Sequence, residues 1–318
     1  MIRALRPTDL PRLARFLRRS STGEITAHTW PKVQPESGHL PVQQMVWHGL
    51  GQGPAHGRAW MAEVDGAIVG LVAGRARCRG LVWDVEHLHV LDGAPDHAEG
   101  LLDRLCQEAA AGGARRVFFE APVGAPGSDV ARHAGFERYT SSTVYRLTPP
   151  FSVGQQEHLD GRPRLRADEQ ALFQLYNAAV PAVIRSAEAM SYEEWSALHR
   201  GRKSWSPSLV GDRHQYVSEL GMGLAGWLQV VYGQKSQLLE LLIDPRYESM
   251  VDRFIGYGLK QVSEKAPVYS TVREYQATLG SGLERVGFGL VDHNDIYVRQ
   301  LAVRIAEREL ATAKMLGG

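Results

Sequence analysis

Hydrophobic positions recur at helical spacing near the start of the chain. Leu10, Leu13, Phe16 and Leu17 share one face of a helical pattern of period 3.6, and Arg12, Arg15, Arg18 and Arg19 fall on the solvated side. The spacing returns at Ala98, Leu101, Leu102, Leu105 and Ala109, a helix stopped by Gly112-Gly113. It returns again at Ala171, Leu172, Leu175 and Tyr176, and at Val251, Phe254, Ile255, Leu259 and Val262. Between these helices lie short apolar runs that read as strands: EVDGAIVG as a hairpin turning at Asp65-Gly66, then LVWDVEHLHVL, VFFEAP, LLELLI and VYSTV. Strand–helix–strand alternation predicts an α/β (α+β) fold with parallel pairing at the centre of each sheet and antiparallel pieces at its flanks. Leu301, Ile305 and Leu310 predict a last helix over 302–318 that packs on a domain or on a second copy of the chain, a homodimer.

The pattern is doubled. Leu5-Arg6 and Leu165-Arg166 each precede an acidic residue and an amphipathic helix. Gly70 and Gly226 each interrupt a hydrophobic strand, and Gly135-Phe136 and Gly287-Phe288 each precede a tyrosine, Tyr145 and Tyr297. Their order is the same and their intervals nearly match, which indicates duplication. Thr148–Pro163, rich in proline, glycine and polar residues, reads as a linker. The expected organisation is therefore 1–147, a linker at 148–163, a second domain at 164–301 and the C-terminal helix.

Composition narrows the class. The 318 residues carry 36 basic and 35 acidic side chains, a net charge of +1, which argues against a nucleic-acid or anionic-membrane partner. Two cysteines, Cys78 and Cys106, make no disulfide framework, and Cys106 on an apolar helix face reads as core. No apolar run reaches the ~20 residues that span a bilayer, and no signal-peptide core opens the chain, so the expectation is a cytoplasmic protein.

The element order, with a Gly-Phe pair closing the last helix, resembles the GNAT acyltransferase superfamily over nearly the whole chain, twice. The best-matching fragments are EHLHVLDGAPDHAEGLL and LELLIDPRYESMVDRFI. The resemblance implies two GNAT-like domains, each a mixed, mostly antiparallel sheet with a central parallel pair and helices on both faces. It also implies acetyl-CoA as co-substrate, with its pyrophosphate on the bare amides of a glycine-rich loop at a helix start. In the first fragment Asp96, Ala98 and Gly100 stand at the loop's glycine positions; in the second Ser249, Val251 and Arg253 stand there. Bulk in the second loop predicts obstruction, so the first half is the expected CoA holder, through His89, Val90, Ala98, Glu99 and Gly100.

The family's direct-transfer chemistry implies a base for the attacking amine and an acid for the departing thiolate. Glu86 is the candidate base, placed by strand alternation on the face of Leu88 and Val90, where an apolar setting raises a carboxylate's pKa; pairing with an arginine is the competing reading. Glu240, set between leucines, invites the same two readings. At the family's tyrosine acid stand Ala131 and Leu283. The resemblance places the acceptor, a small-molecule or peptide amine, against the loop-rich stretches Ser20–Gly57 and Ala178–Pro207. The candidates are Glu24, His28, Trp30 and His48 in the first and Arg185, Glu188, Tyr192, Glu194 and Trp205 in the second. His87 and His89 share a strand face, but no third ligand stands at a convincing spacing and no metal is expected. The expected function is acyl-CoA-dependent acetyl transfer to an amine; the alternative is a non-catalytic tandem binding or scaffolding protein.

Overall fold

The computed structural model describes residues 1–20, 25–28, 58–77, 80–91, 96–151, 159–188, 191–193, 195–196, 212–221, 223–233 and 236–302. The expected helix at 302–318 and the centre of the linker lie outside them, apart from Ala302.

The first half of the sequence forms β1 (Ile2–Ala4), α1 (Leu10–Ser20), β2 (Ile25–His28), β3 (Arg58–Val64), β4 (Ala67–Arg77), β5 (Val82–Val90), α2 (Asp96–Ala111), β6 (Arg116–Pro122), α3 (Pro126–His133) and β7 (Glu137–Leu147). The second forms β8 (Arg162–Pro163), α4 (Glu169–Ala179), α5 (Ala182–Glu188), β9 (Arg213–Leu220), β10 (Gly223–Tyr232), β11 (Gln237–Ile243), α6 (Val251–Lys260), β12 (Val268–Arg273), α7 (Ala277–Arg285) and β13 (Gly289–Gln300). The fold is mixed α/β, as the pattern predicts. At the expected hairpin Asp65 and Gly66 take φ of 47° and 76°, the double positive φ of a tight two-residue turn.

The repeat reaches the level of side-chain networks. Arg3 on β1 forks onto Asp9 at 2.7 and 2.8 Å and also bonds Glu63 on β3. Arg162 on β8 forks onto Asp168 at 2.7 Å twice and also bonds Glu219 on β9. The Asp9 carboxylate accepts from the Arg6 amide and the Asp168 carboxylate from the Leu165 amide, so each ties a strand to the turn before its helix. These contacts pair Arg6 with Leu165, so the alignment of Leu5-Arg6 with Leu165-Arg166 is one residue out of step. The Gly-Phe pairs match in detail. Gly135 and Gly287 have φ of 74° and 96°, and the Phe136 and Phe288 amides donate to Ala131 and Leu283 carbonyls at 2.9 and 3.0 Å. That is a left-handed glycine closing a helix with a six-to-one bond, with the phenylalanine buried behind it.

The two halves share one sheet, with strand order β1-β3-β4-β5-β6-β13-β7-β12-β11-β10-β9-β8 and β2 beside β5. The last strand of each half has crossed over. β13 pairs antiparallel with β6, and β7 pairs antiparallel with β12; β7 and β13 then pair with each other. The cores confirm the crossing. Tyr297 of β13 is buried with Leu101, Val117, Phe119 and Phe136 of the first half, while Tyr145 and Leu147 of β7 are buried with Phe254, Ile255 and Leu283 of the second. Packing thus runs across the boundary expected between 1–147 and 164–301. Alternation explains why the exchange is tolerated: β7 and β13 each bury apolar residues on the side of a core, and either fits the slot beside β6 or β12.

One face of the sheet is covered by α2 and α6, whose apolar stripes bury the backs of β3–β6 and β10–β12. The other carries α1 over β3 and β4, and α4 with α5 over β9–β11 and the sheet centre. Gly70 and Gly226 lie under α2 and α6, where an added Cβ meets Leu101 and the Phe254 ring. Close helix approach requires glycine there.

Candidate functional site

Two clefts open where parallel strands part. β5 and β6 pair only from Val82–Arg116 to Asp84–Phe118, and β11 and β12 only at Gln237–Val268 and Leu238–Tyr269. Beyond those pairs each leaves strand edge with amides and carbonyls that need partners. These are the central parallel pairs that the resemblance implies, one in each half.

The clefts differ in what meets their edges. In the first half β2 pairs antiparallel along β5, Ile25 with Val90, Thr26 with His89, Ala27 with Leu88 and His28 with His87. β4 pairs with the opposite edge of the same residues. His89 and Val90 therefore have strands on both sides. In the second half β10 takes one edge of β11, and no described strand takes the other beyond Leu238. The Gln237 amide donates toward β12, to Pro267. By alternation Leu239, Leu241 and Ile243 aim their backbone groups the same way. The Gln276 side chain donates to the Leu241 carbonyl at 3.1 Å, a side-chain bond where a strand partner would stand.

The loops at the helix starts also depart from expectation. Val251 is 2% exposed and packs into the core, its Cγ1 only 2.6 Å from where a Cβ on Gly282 would stand. Its bulk points away from the loop, so the expected obstruction by Val251 does not arise. Ala98 likewise faces the first core. Gly100 lies against Ile2, whose Cδ1 would be 3.0 Å from an added Cβ, so its smallness serves packing on β1. Glu99 lies 3.4 Å from His133. Before α6, Asp244 is nearly sealed and accepts from the Arg246 amide at 2.9 Å and from its guanidinium, which holds the carboxyl below its usual range.

Carboxylates cluster on the face covered by α1, α4 and α5. Ala73 pairs with His87 and Gly74 with Val85, so a bulge places Glu86 out of the ladder. One extra residue reverses alternation: Val85, Leu88 and Val90 all enter the α2 core, and Glu86 does not share their face. It pairs instead with Arg75 at 2.9 Å. Arg77 holds Asp84, whose carboxyl burial pushes up against that pairing. Glu120 accepts from Ser142 at 2.9 Å, and burial pushes it up too. In the second half Glu240 accepts from Gln229, and burial pushes it up, opposed by Arg213, then Gln229, then Arg273. Near it the Tyr176 hydroxyl donates to Glu188 at 2.6 Å, and burial pushes the Tyr275 phenol up to about 12.

No family model matches the chain, and no curated protein matches it in sequence. Solved structures do. A GCN5-related N-acetyltransferase from Sphaerobacter thermophilus superposes with a TM-score of 0.57 at 14% identity, over 96% of both chains. A tandem GNAT protein from the clavulanic acid biosynthesis pathway does so at 0.51 and 15%, over 96% of this chain and 99% of that one. A putative acetyltransferase from Pyrococcus horikoshii reaches 0.52 at 12%, over 95% and 90%. The chain has the GNAT fold. These identities establish the fold and leave the chemistry to the residues.

Within that GNAT fold the sequence candidates separate. Glu86, His89 and Val90 lie along one strand; Ala98, Glu99 and Gly100 lie in the first turn of α2. Glu24, Trp30, His48, Glu194 and Trp205 lie outside the described residues, and of His28 only the backbone, in β2, is described. Ala131 and Leu283, at the family's tyrosine positions, are fully buried. Cys106 is a buried thiol pushed up to about 12, unsuited to nucleophilic attack. His87 and His89 stack with centroids 6.2 Å apart. Among the described residues no group of three or more His, Cys, Asp or Glu is gathered to hold a metal, and no helix is long and apolar enough to cross a membrane. Glu120 was legible, since it stands in an apolar strand as Glu240 does. β2 and Arg273 carried no such signal.

Proposed function

We propose that the chain is an acyl-CoA-dependent N-acyltransferase that moves an acetyl group onto a small-molecule or peptide amine, with the acyl-CoA lying along β11 in the second cleft. The observation that carries this reading is the backbone edge of Leu239–Ile243, which faces a parting strand pair with no described strand against it beyond Leu238. An extended amide-bearing chain such as the pantetheine arm fits that edge as an added strand does. Inward-facing Val251 leaves the start of α6 clear. The edge at His89–Val90, expected from sequence to hold CoA, already carries β2.

Glu240 is the base this geometry favours. Burial raises its proton affinity, which suits it to take the ammonium proton. The freed nitrogen attacks the thioester carbonyl, the C–S bond breaks, and the thiolate takes up a proton. Tyr275, packed against the core that α4 and α5 bury and held protonated by burial, is the hydroxyl suited to supply it. The first half then serves as a structural partner, lending β7 and receiving β13. A non-catalytic role for that half is supported by β2 in its cleft. Calorimetric titration with acetyl-CoA tests the proposal: one molecule per chain is expected, and no binding would end the acyltransferase reading.

A further inference from the structure

At the mouth of the second cleft stands an arginine with a buried guanidinium nitrogen that no described carboxylate meets by a hydrogen bond. Arg273 ends β12, on the face covered by α4 and α5, across the parting strands from Glu240. Its backbone is fixed: the amide donates to Gln276 Oε1 at 3.0 Å, and the strand pairs with β7 at Ser142. Its guanidinium Nη1 is sealed from solvent and meets no hydrogen-bond partner among the described residues. Glu120, Glu188 and Glu240 act on it only through space. Each already holds another donor: Ser142, Tyr176 and Gln229 respectively. A buried guanidinium nitrogen left without a hydrogen bond is costly, and the group's planar fork suits a carboxylate held by two bonds.

Other features of the molecule lead nowhere comparable. The Arg3 and Arg162 networks are mutually satisfied. The small gap lined by Leu159, Tyr216, Phe254 and Tyr257 is apolar. Exposed Leu290 and Val291 have nothing beside them that names a partner.

We infer that Arg273 receives the carboxylate of the acceptor, so that the substrate class is an amine bearing a carboxylate group, such as an amino acid, with its nitrogen toward Glu240. This rests on the acyltransferase reading of the second cleft. A carboxylate at Arg273 and an ammonium at Glu240 neutralise one another's cost of burial, since each charge then has an opposite one in contact. An amine without the carboxylate leaves Arg273 unmet, and a site built for a charged group rejects the analogue that lacks it.

The test needs no knowledge of the side chain. The twenty amino acids and their decarboxylated amines are each titrated calorimetrically into the full-length protein, with and without CoA, and into Arg273→Gln and Arg273→Lys. At least one amino acid is expected to bind. Its decarboxylated amine should bind at least ~10-fold more weakly, as the loss of a charge-assisted pair implies. Arg273→Gln should abolish the difference, and Arg273→Lys should retain part of it. The thermal midpoint of Arg273→Gln is read alongside, since Arg273 also faces Glu120 and Glu188 through space. Overturning results are amines that bind as well as their acids, no binding anywhere in the panel, or a lowered midpoint with unchanged ligand preference. The last would make Arg273 a structural counter-ion of Glu120. Amino acid binding without any CoA binding would defeat the acyltransferase reading while leaving the carboxylate site standing.

Discussion

Glu240 shows how much one residue's surroundings decide. A carboxylate between leucines is conspicuous in sequence, and the structure gives it burial and one amide donor, Gln229. Burial raises its folded pKa above the ordinary value of about 4.3. Stability from its neutral form is therefore fully present below that value and is lost as pH rises through the raised one. Glu240→Gln keeps the shape and never ionises. Its thermal midpoint should fall less than that of the wild type as pH rises above the ordinary carboxylate range, because the wild type loses the contribution of its shifted carboxylate there. Parallel curves would show that Glu240 is not in the setting described. Glu86 gives the complementary lesson. Alternation placed it on an apolar face, but the bulge beside Gly74 adds one residue and reverses the count. Bulges leave no mark in a hydrophobic pattern. Arg273 was illegible for another reason: that no described residue bonds its buried Nη1 is a property of three-dimensional neighbours, and one arginine at a strand end looks like any other.

At the scale of elements, the helices and most strands were legible because each presents one apolar face at a fixed period. β2 was not, because its four residues matter through the edge they cover. The destination of β13 was hidden too, since its alternating apolar positions read the same whichever core they enter. That destination is testable. Tyr297 is 1% exposed in the core of the first half, against Phe119 with ring centroids 6.3 Å apart. Tyr297→Ala should destabilise the protein by about 3–5 kcal/mol, as aromatic-to-alanine changes in packed cores do. The damage should show as faster amide exchange in α2 and β6, far away in sequence. Loosening confined to α6 and α7 would place β13 in its own half.

For the whole molecule, duplication was legible from paired marks, the Gly-Phe closures above all, while the exchange of last strands was not. A continuous sheet whose cores each hold a strand of the other half cannot unfold one half alone without exposing Tyr145 or Tyr297. Denaturant unfolding should therefore be a single transition by circular dichroism and by tryptophan fluorescence, despite the 318-residue length. Truncation after Phe288 should remove it for both halves. Two separated transitions, or a truncated chain whose first half still melts cooperatively, would refute the shared packing.

Backbone hydrogen–deuterium exchange with and without acetyl-CoA tests the placement of the cofactor arm most directly. The edge of β11 beyond Leu238 faces a cleft, whereas His89 and Val90 have strands on both sides. Saturating acetyl-CoA should slow exchange at Leu241 and Ile243, and leave Leu88–Val90 unchanged. Protection at Leu88–Val90 with none at Leu241 and Ile243 would move the acyl-CoA to the first half and contradict the account.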